Sequence, residues 1–214
     1  MACGGGWAWL RDGHLFAHIC GARGPRGPLT AVVEHMPVLT PGQVVELDMT
    51  RSRRWRTPGT SVTAPPEQIA AACAAVRPHA WNDPRARALG RDPRAATVGA
   101  LVGRGPGLTP AGDDVLAGYV LARRAIDPDR SRRDRALVLW SARHTGEPAR
   151  SLLLCASRGE AFSPAATMLA ALLAADGPAL APGLRRLRAL GATTGRAMLT
   201  GMLEGIAAGI DAAR

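Results

Sequence analysis

The sequence predicts an α+β protein: a small N-terminal antiparallel β unit over residues 1–63, followed by a mainly α-helical region over 64–214. Short apolar runs separated by Gly and Pro turns fill the first part. From Pro66 onward the apolar spacing changes to that of helices. Several of those helices then open on Pro near the first turn. The chain has 214 residues, 47% of them apolar. That is enough for one or two domains with a real core, and it excludes wholesale disorder. Aromatic residues are only 4%, so the core must be built from Ala, Leu, Val and other small residues. The two regions can also pack as one compact domain.

Taken in order, Trp7–Leu10, His14–Cys20, Ala31–Val33 and Val44–Asp48 read as strands. Asp12-Gly13, Gly24-Pro25 and Pro41-Gly42 punctuate them. Arg51, Arg53, Arg54 and Arg56 fall in a basic loop. Gln68–Val76 is helical in composition. Pro84 and Pro93 break Asn82–Arg94 into an irregular or short helical linker. Thr109-Pro110 opens a helix as N-cap and first-turn Pro. Further helices span about Asp129–Arg143, Pro148–Ser157 and Ser163–Ala175. A short one covers Leu184–Leu190. The last runs from about Thr194 to Ala212, with Met198, Met202, Ile206 and Ile210 on one broad apolar face. Gly201, Gly205 and Gly209 form a small-residue stripe on it, the mark of close helix packing. Gly112–Gly118 aligns with Gly195–Gly201, which suggests two related helix starts facing one cavity or two similarly built helices.

Net charge is +10 and the pI about 11.2, which raises the question of a polyanionic partner. All 27 basic residues are Arg. With the abundance of Ala, Gly and Pro, this reads as the codon bias of a GC-rich genome, so nucleic acid is not the expected partner. The run Arg130–Arg135 reads as a solvated helix start. The four Cys (Cys3, Cys20, Cys73 and Cys155) form no CxxC motif. His14, His18 and Cys20 share one strand face, but no fourth ligand lies near. They read as sheet side chains, and no metal or cofactor is assigned. A signal peptide and a membrane span are not expected, so the expected location is the cytoplasm.

The chemistry concentrates in Gly103-Arg-Gly-Pro-Gly-Leu-Thr-Pro-Ala-Gly-Asp-Asp114. Its glycines permit positive φ and close approach of a ligand to the backbone. The loop runs into a helix, whose N–H groups and positive dipole end suit a phosphate or carboxylate. Gly103, Gly105, Gly107 and Gly112 are the expected cradle, and the Thr109 hydroxyl a further donor. Asp113 and Asp114 fall in the first helical turn, where acids complement the dipole. They can also act on a bound ligand. Successive helical residues point about 100° apart, so one Asp should face the loop and the other a neighbouring element. Neither a Walker A motif nor a dinucleotide fingerprint is present.

Over Gly103–Gly118 the chain resembles the defining motif of the oxamate carbamoyltransferase subunit AllH family. A weaker likeness extends through Gly191–Gly195 and Leu199–Gly201. The resemblance implies transfer of a carbamoyl group between carbamoyl phosphate and oxamate, giving oxalurate, or the reverse reaction, in purine-nitrogen catabolism. It implies one subunit of a multi-subunit enzyme, with a homo-oligomer or other transferase subunits as partners. By this analogy the loop backbone holds an anion, Thr109 donates a hydrogen bond, and Asp113 or Asp114 orients an amide N–H. Thr193, Thr194 and Gly195 form a second contact region, with Thr145 and Arg150 as further ligand contacts. At that second region the chain departs from the family pattern. Ala192 stands where the family has His, and Ala197 where it has Asp. The alternative reading is a non-catalytic subunit that binds a small anion or a partner through an altered site.

Overall fold

The computed structural model describes residues 7–13 and 15–212. It is α+β, with a small sheet before a helical body. Strands β1 (Trp7–Asp12) and β2 (Leu15–Gly21) form an antiparallel hairpin, with Trp7 opposite Cys20 and Asp12 opposite Leu15. Gly13 sits at the turn with φ of 57°, a left-handed conformation that Gly adopts without penalty. Strand β3 (Thr30–Val33) then joins β2 in parallel, His18 facing Thr30. The sheet therefore extends the antiparallel hairpin with one parallel strand. The return loop between β2 and β3 is pinned by the His18 N–H donating to the Leu29 carbonyl at 2.6 Å.

Val44–Asp48 is not a strand, contrary to its apolar pattern. Val38 and Val44 are 93% and 89% exposed. Alternation forms a strand only when one face finds a surface to cover, and here no neighbour supplies one. From Glu34 to Pro65 the chain crosses the molecule without regular structure. It is tied down where Thr57 exchanges hydrogen bonds with Ala161 and where the Thr63 and Ala64 N–H groups donate to the Leu173 carbonyl.

Helices α1 (Pro66–Val76), α2 (Pro84–Arg91), α3 (Ala95–Gly99), α4 (Ala111–Ile126) and α5 (Ser131–Ser141) follow. After them come α6 (Glu147–Ser157), α7 (Ser163–Leu173), α8 (Gly177–Arg188) and α9 (Thr194–Asp211). The Asn82–Arg94 stretch resolves into α2, capped by the Asp83 carboxylate accepting from the Arg85 N–H. Helix α8 begins seven residues before the expected Leu184, with Asp176 capping it and Pro178 in its first turn. Pro182 sits inside it, early enough that only one backbone bond is lost. Helix α4 starts at Ala111 with Pro110, not Thr109, in the cap position and no side-chain cap.

Helix α4 is buried on nearly every face, from Ala111 through Arg123. A helix apolar all round belongs at the centre of a core. It packs chiefly against α9, also buried along most of its length. Helices α5, α6, α7, α8, α1 and α2 wrap this pair. Tyr119, Leu116, Leu172, Leu173, Leu187 and Leu199 fill the space between them. The sheet lies against α6 and the start of α7. There Phe162 meets the His18 ring edge-on at 6.3 Å, and the Ser163 N–H donates to the Arg26 carbonyl at 2.6 Å. Arg123 reaches Asp134 at 2.8 Å, and Tyr119 donates to the same carboxylate at 3.2 Å, tying α4 to α5 in a buried network.

Candidate functional site

The segment from Gly103 to Pro110 folds as an exposed loop leading into α4. Gly103, Gly105 and Gly107 take φ values of 68°, 113° and 96°, where any side chain is strained. A Cβ on Gly112 would overlap the Leu101 carbonyl. Only Gly lets the helix start so close to the preceding chain. The loop also caps the helix from within. The Gly112 N–H donates to the Arg104 carbonyl at 2.8 Å, and the Asp113 and Asp114 N–H groups donate to Pro110.

Asp113 and Asp114 then diverge, as the helical rotation requires. Asp113 turns to the loop. Its Oδ1 accepts from the Gly103 N–H at 3.0 Å and its Oδ2 from the Thr145 hydroxyl at 2.5 Å. Both oxygens are engaged, so Asp113 clamps the loop to the start of α6. Burial raises its pKa, while the two hydrogen bonds pull the other way. Thr145 thus meets Asp113 directly. Arg150 is exposed on the first turn of α6, and the Gly103 loop passes close to the His144 backbone.

Asp114 turns inward. It is 4% exposed, and its Oδ2 is buried with no hydrogen-bond partner. An unsatisfied buried acceptor is costly. Burial pushes the carboxyl well above the usual carboxylate range, against a hydrogen bond from Thr194, and the Asp113 charge pushes it further up. Thr194 is the first residue of α9. Helices α4 and α9 run parallel, so their N-termini lie together and Asp114 sits between them.

The internal repeat has a structural counterpart here. A Cβ on Gly118 would overlap the Met198 carbonyl, and one on Gly201 the Val115 carbonyl. Val115 and Met198 are equivalent positions in the two aligned heptapeptides, as are Gly118 and Gly201. Gly112 and Gly195 are equivalent as well, each pressed against a carbonyl of the preceding segment, Leu101 or Leu187. The two helices therefore cross about an approximate two-fold axis, backbone to backbone. The equivalent of Asp114 in this arrangement is Ala197, which is fully buried. One helix brings a carboxyl to the crossing and the other a methyl.

Asp114, Thr194, Ala117 and Met198 line a small pocket closed by Glu160, Phe162 and Pro28. The sequence reading did not single out Glu160, Phe162 or Pro28. They come from connecting segments with no periodic signal, and only the docking of the sheet on α6 and α7 brings them to the site. Thr193 is half-buried beside this end, in the cap position of α9. Gly191, with φ of 121°, makes the turn that sets it there. Thr109 is half-buried at the far end of the loop.

On the sheet, the His18 ring packs edge-on to Trp9 at 5.4 Å, and Cys20 is buried. His14 lies outside the described residues. Among the described residues no group of three or more His, Cys, Asp or Glu is arranged to hold a metal ion. Nor is any helix among them long and apolar enough to cross a membrane.

No curated protein and no solved structure matches the chain. The family model described as oxamate carbamoyltransferase subunit AllH matches residues 101–206. That span begins at the residue whose carbonyl abuts Gly112 and ends within α9, so it contains the Gly-rich loop, both aspartates, Thr145 and the helix crossing. The matched span is just under half of the chain, and over it the sequence is similar to the oxamate carbamoyltransferase subunit AllH family.

Proposed function

We propose that this protein is a subunit of a carbamoyltransferase, and that the end of the molecule where α4 and α9 begin is its substrate site. The observation that carries the reading is Asp114: a buried carboxyl with a bare oxygen, held between two helix N-termini inside the family-matched region. The two positive dipole ends favour negative charge nearby. Carbamoyl phosphate and oxamate both present an anionic group and a planar amide.

In this reading the exposed backbone of Gly105 and Gly107, with Thr109, holds the anion. Asp114 accepts a hydrogen bond from the amide N–H, and Thr194 is the neighbouring donor. Holding the two reactants at a fixed angle is the main service such a site can give to carbamoyl transfer. Asp113 and Thr145 are positioning residues that fix the loop, and Arg150 is a candidate for the carboxylate of oxamate. Ala192 and Ala197 remove an imidazole and a carboxyl relative to the family pattern, so partner subunits are expected to complete the catalytic set. A homo-oligomer, a place in purine catabolism and a cytoplasmic location belong to the same reading.

The test is phosphate release from carbamoyl phosphate in the presence of oxamate, measured for the chain alone and with its partner subunits. Turnover that falls at least about a hundredfold in Asp114→Asn supports the reading, the scale expected when a group acting in the transition state is lost. Unchanged turnover in that variant overturns the role of Asp114. Ligand-dependent stabilisation without turnover in any combination of subunits favours the non-catalytic binding subunit instead.

A further inference from the structure

Helix α1 buries Ile69, Ala72, Cys73 and Val76 in the core. A surface helix of this kind ordinarily turns charged or polar residues outward. Here the outward positions along its middle are Ala70, Ala71, Ala74 and Ala75, all exposed. Beside them, α1 and the second half of α9 leave an open groove of about 210 Å³. Its walls are apolar, with Ala70, Cys73 and Ala74 on one side and Leu203, Ile206 and Ile210 on the other. Contiguous apolar surface marks a contact for another molecule.

The charges at the two ends of the groove select that molecule. Arg77 bonds Glu204, and the Trp81 N–H donates to the Thr200 hydroxyl and the Arg196 carbonyl. The chain therefore runs antiparallel to α9, and the first turn of α1 lies toward the last turn of α9. Glu67 and Asp211 make that end acidic, and Arg77 marks the other. Glu67, Ala70, Ala74 and Arg77 follow at helical spacing and form one stripe along α1. Turned end for end about Ala72, the stripe maps Ala70 onto Ala74 and Glu67 onto Arg77. A second α1 laid antiparallel thus meets Ala with Ala and brings its Arg77 to the acidic end. A parallel copy would set like charges together. Arg77 has donors to spare. Only its Nη1 is engaged by Glu204, at 2.8 Å, its side chain is 48% exposed, and a guanidinium carries five N–H groups. Ala contacts let two helix axes approach to about 8 Å, which brings the second helix down onto Ile206 and Ile210.

We propose that the groove between α1 and α9 is a homodimer surface, occupied by α1 of a second copy of this chain in antiparallel orientation. Covering the apolar walls supplies the attraction. The exposed ion pairs add little affinity but fix the orientation. The groove lies along the last turns of α9 and Asp114 at its first, roughly 18 Å away along the helix. The proposal therefore stands apart from the carbamoyltransferase reading.

The test is sedimentation equilibrium of the full chain over a dilution series. The apparent mass should rise from one chain to two as concentration increases. Ala74→Arg, at an exposed position, should abolish the rise while leaving thermal unfolding of the dilute chain unchanged. Glu67→Arg reverses a charge that is used twice in the dimer, and should weaken association about tenfold. Added salt should weaken the parent more than this variant.

A chain that stays monomeric at every concentration overturns the proposal. So does a dimer that Ala74→Arg leaves intact, since self-association then lies elsewhere. Association unchanged by Glu67→Arg overturns the antiparallel pairing. A monomer whose assembly with the other transferase subunits is blocked by Ala74→Arg gives the groove to a different chain and also overturns it. Carbamoyl transfer is scored separately: turnover by a monomer sinks the groove assignment alone, and a dimer without turnover sinks the carbamoyltransferase reading alone.

Discussion

Both oxygens of Asp113 are engaged by the protein, whereas Asp114, one residue on, keeps one bare. The rotation of the helix decides this, and it could be read from the sequence because adjacent residues on a helix diverge by about 100°. Which aspartate goes which way could not be read, because it depends on Thr145 and Thr194, 32 and 80 residues away. The cost of Asp114 has a measurable sign. Burial raises its folded pKa above the value in the unfolded chain, so the folded state holds its proton more tightly. Stability from this group is greatest below the ordinary carboxylate range and declines as pH rises through it toward the folded pKa. Asp114→Asn removes that decline. The variant should unfold at a higher temperature than the parent at pH 7, by a few degrees, and the gap should close near pH 3.5. A stability curve against pH for both proteins checks it, and a parent as stable as the variant at pH 7 contradicts it. A site that gains stability when its acid is removed fits the usual conflict between stability and function.

At the scale of elements, the crossing of α4 and α9 holds the site together. Its contacts are backbone against backbone, so the glycines there admit no side chain. Gly118→Ala and Gly201→Ala each put a methyl group into a carbonyl on the facing helix. Ala would add up to about 1 kcal/mol of helix propensity at either position. Forced overpacking costs about 1–3 kcal/mol, or more when the obstacle is backbone. Both variants should therefore be less stable in urea unfolding. Gly209→Ala is the control. Its methyl would meet the Ile126 side chain at 2.7 and 3.1 Å and the Arg123 Nη1 at 3.2 Å, all side-chain atoms with no backbone among them. Its stability should stay within about 1 kcal/mol of the parent. The stripe of Gly on α9 was visible in the sequence as a packing surface. Its partner was not, because nothing local says that α4 lies in the same direction beside it. The apolar run at Val44–Asp48 failed as a strand for a related reason. Alternation describes what a segment can cover, and whether a surface exists to be covered is settled elsewhere in the molecule.

At the scale of the whole molecule, the β unit and the helical body are joined by a long irregular segment and by contacts at Ala161–Ser163. Arg51, Arg53, Arg54 and Arg56 lie exposed on that segment. Trypsin should therefore cut there first, and mass spectrometry should find new N-termini at residues 52–57. The two fragments should elute together on gel filtration, because Phe162 and the Arg26–Ser163 hydrogen bond hold the sheet on the helices. First cuts within α4 or α9 would contradict the burial described for them. The start of the helices at Pro66 was legible because the apolar spacing changes there, whereas the end of the strands at Val33 was not. The closing of the pocket by Pro28 was not, since it joins the first thirty residues to the last thirty through space alone.

The parallel course of α4 and α9 also bears on how the molecule comes to exist in time. Two helices joined by a short turn run antiparallel and can meet early. Parallel ones must wait until the intervening chain, here residues 127–193 with α5 to α8, has carried the second start back to the first. Thr194 therefore reaches Asp114 only across a large closed loop, whose entropic cost falls before its contacts form. The acid is left unshielded until the last helix arrives. Assembly of the site and completion of the fold are thus one late event, so a ligand bound at Asp114 should act mainly by slowing unfolding and leave the rate of folding nearly unchanged.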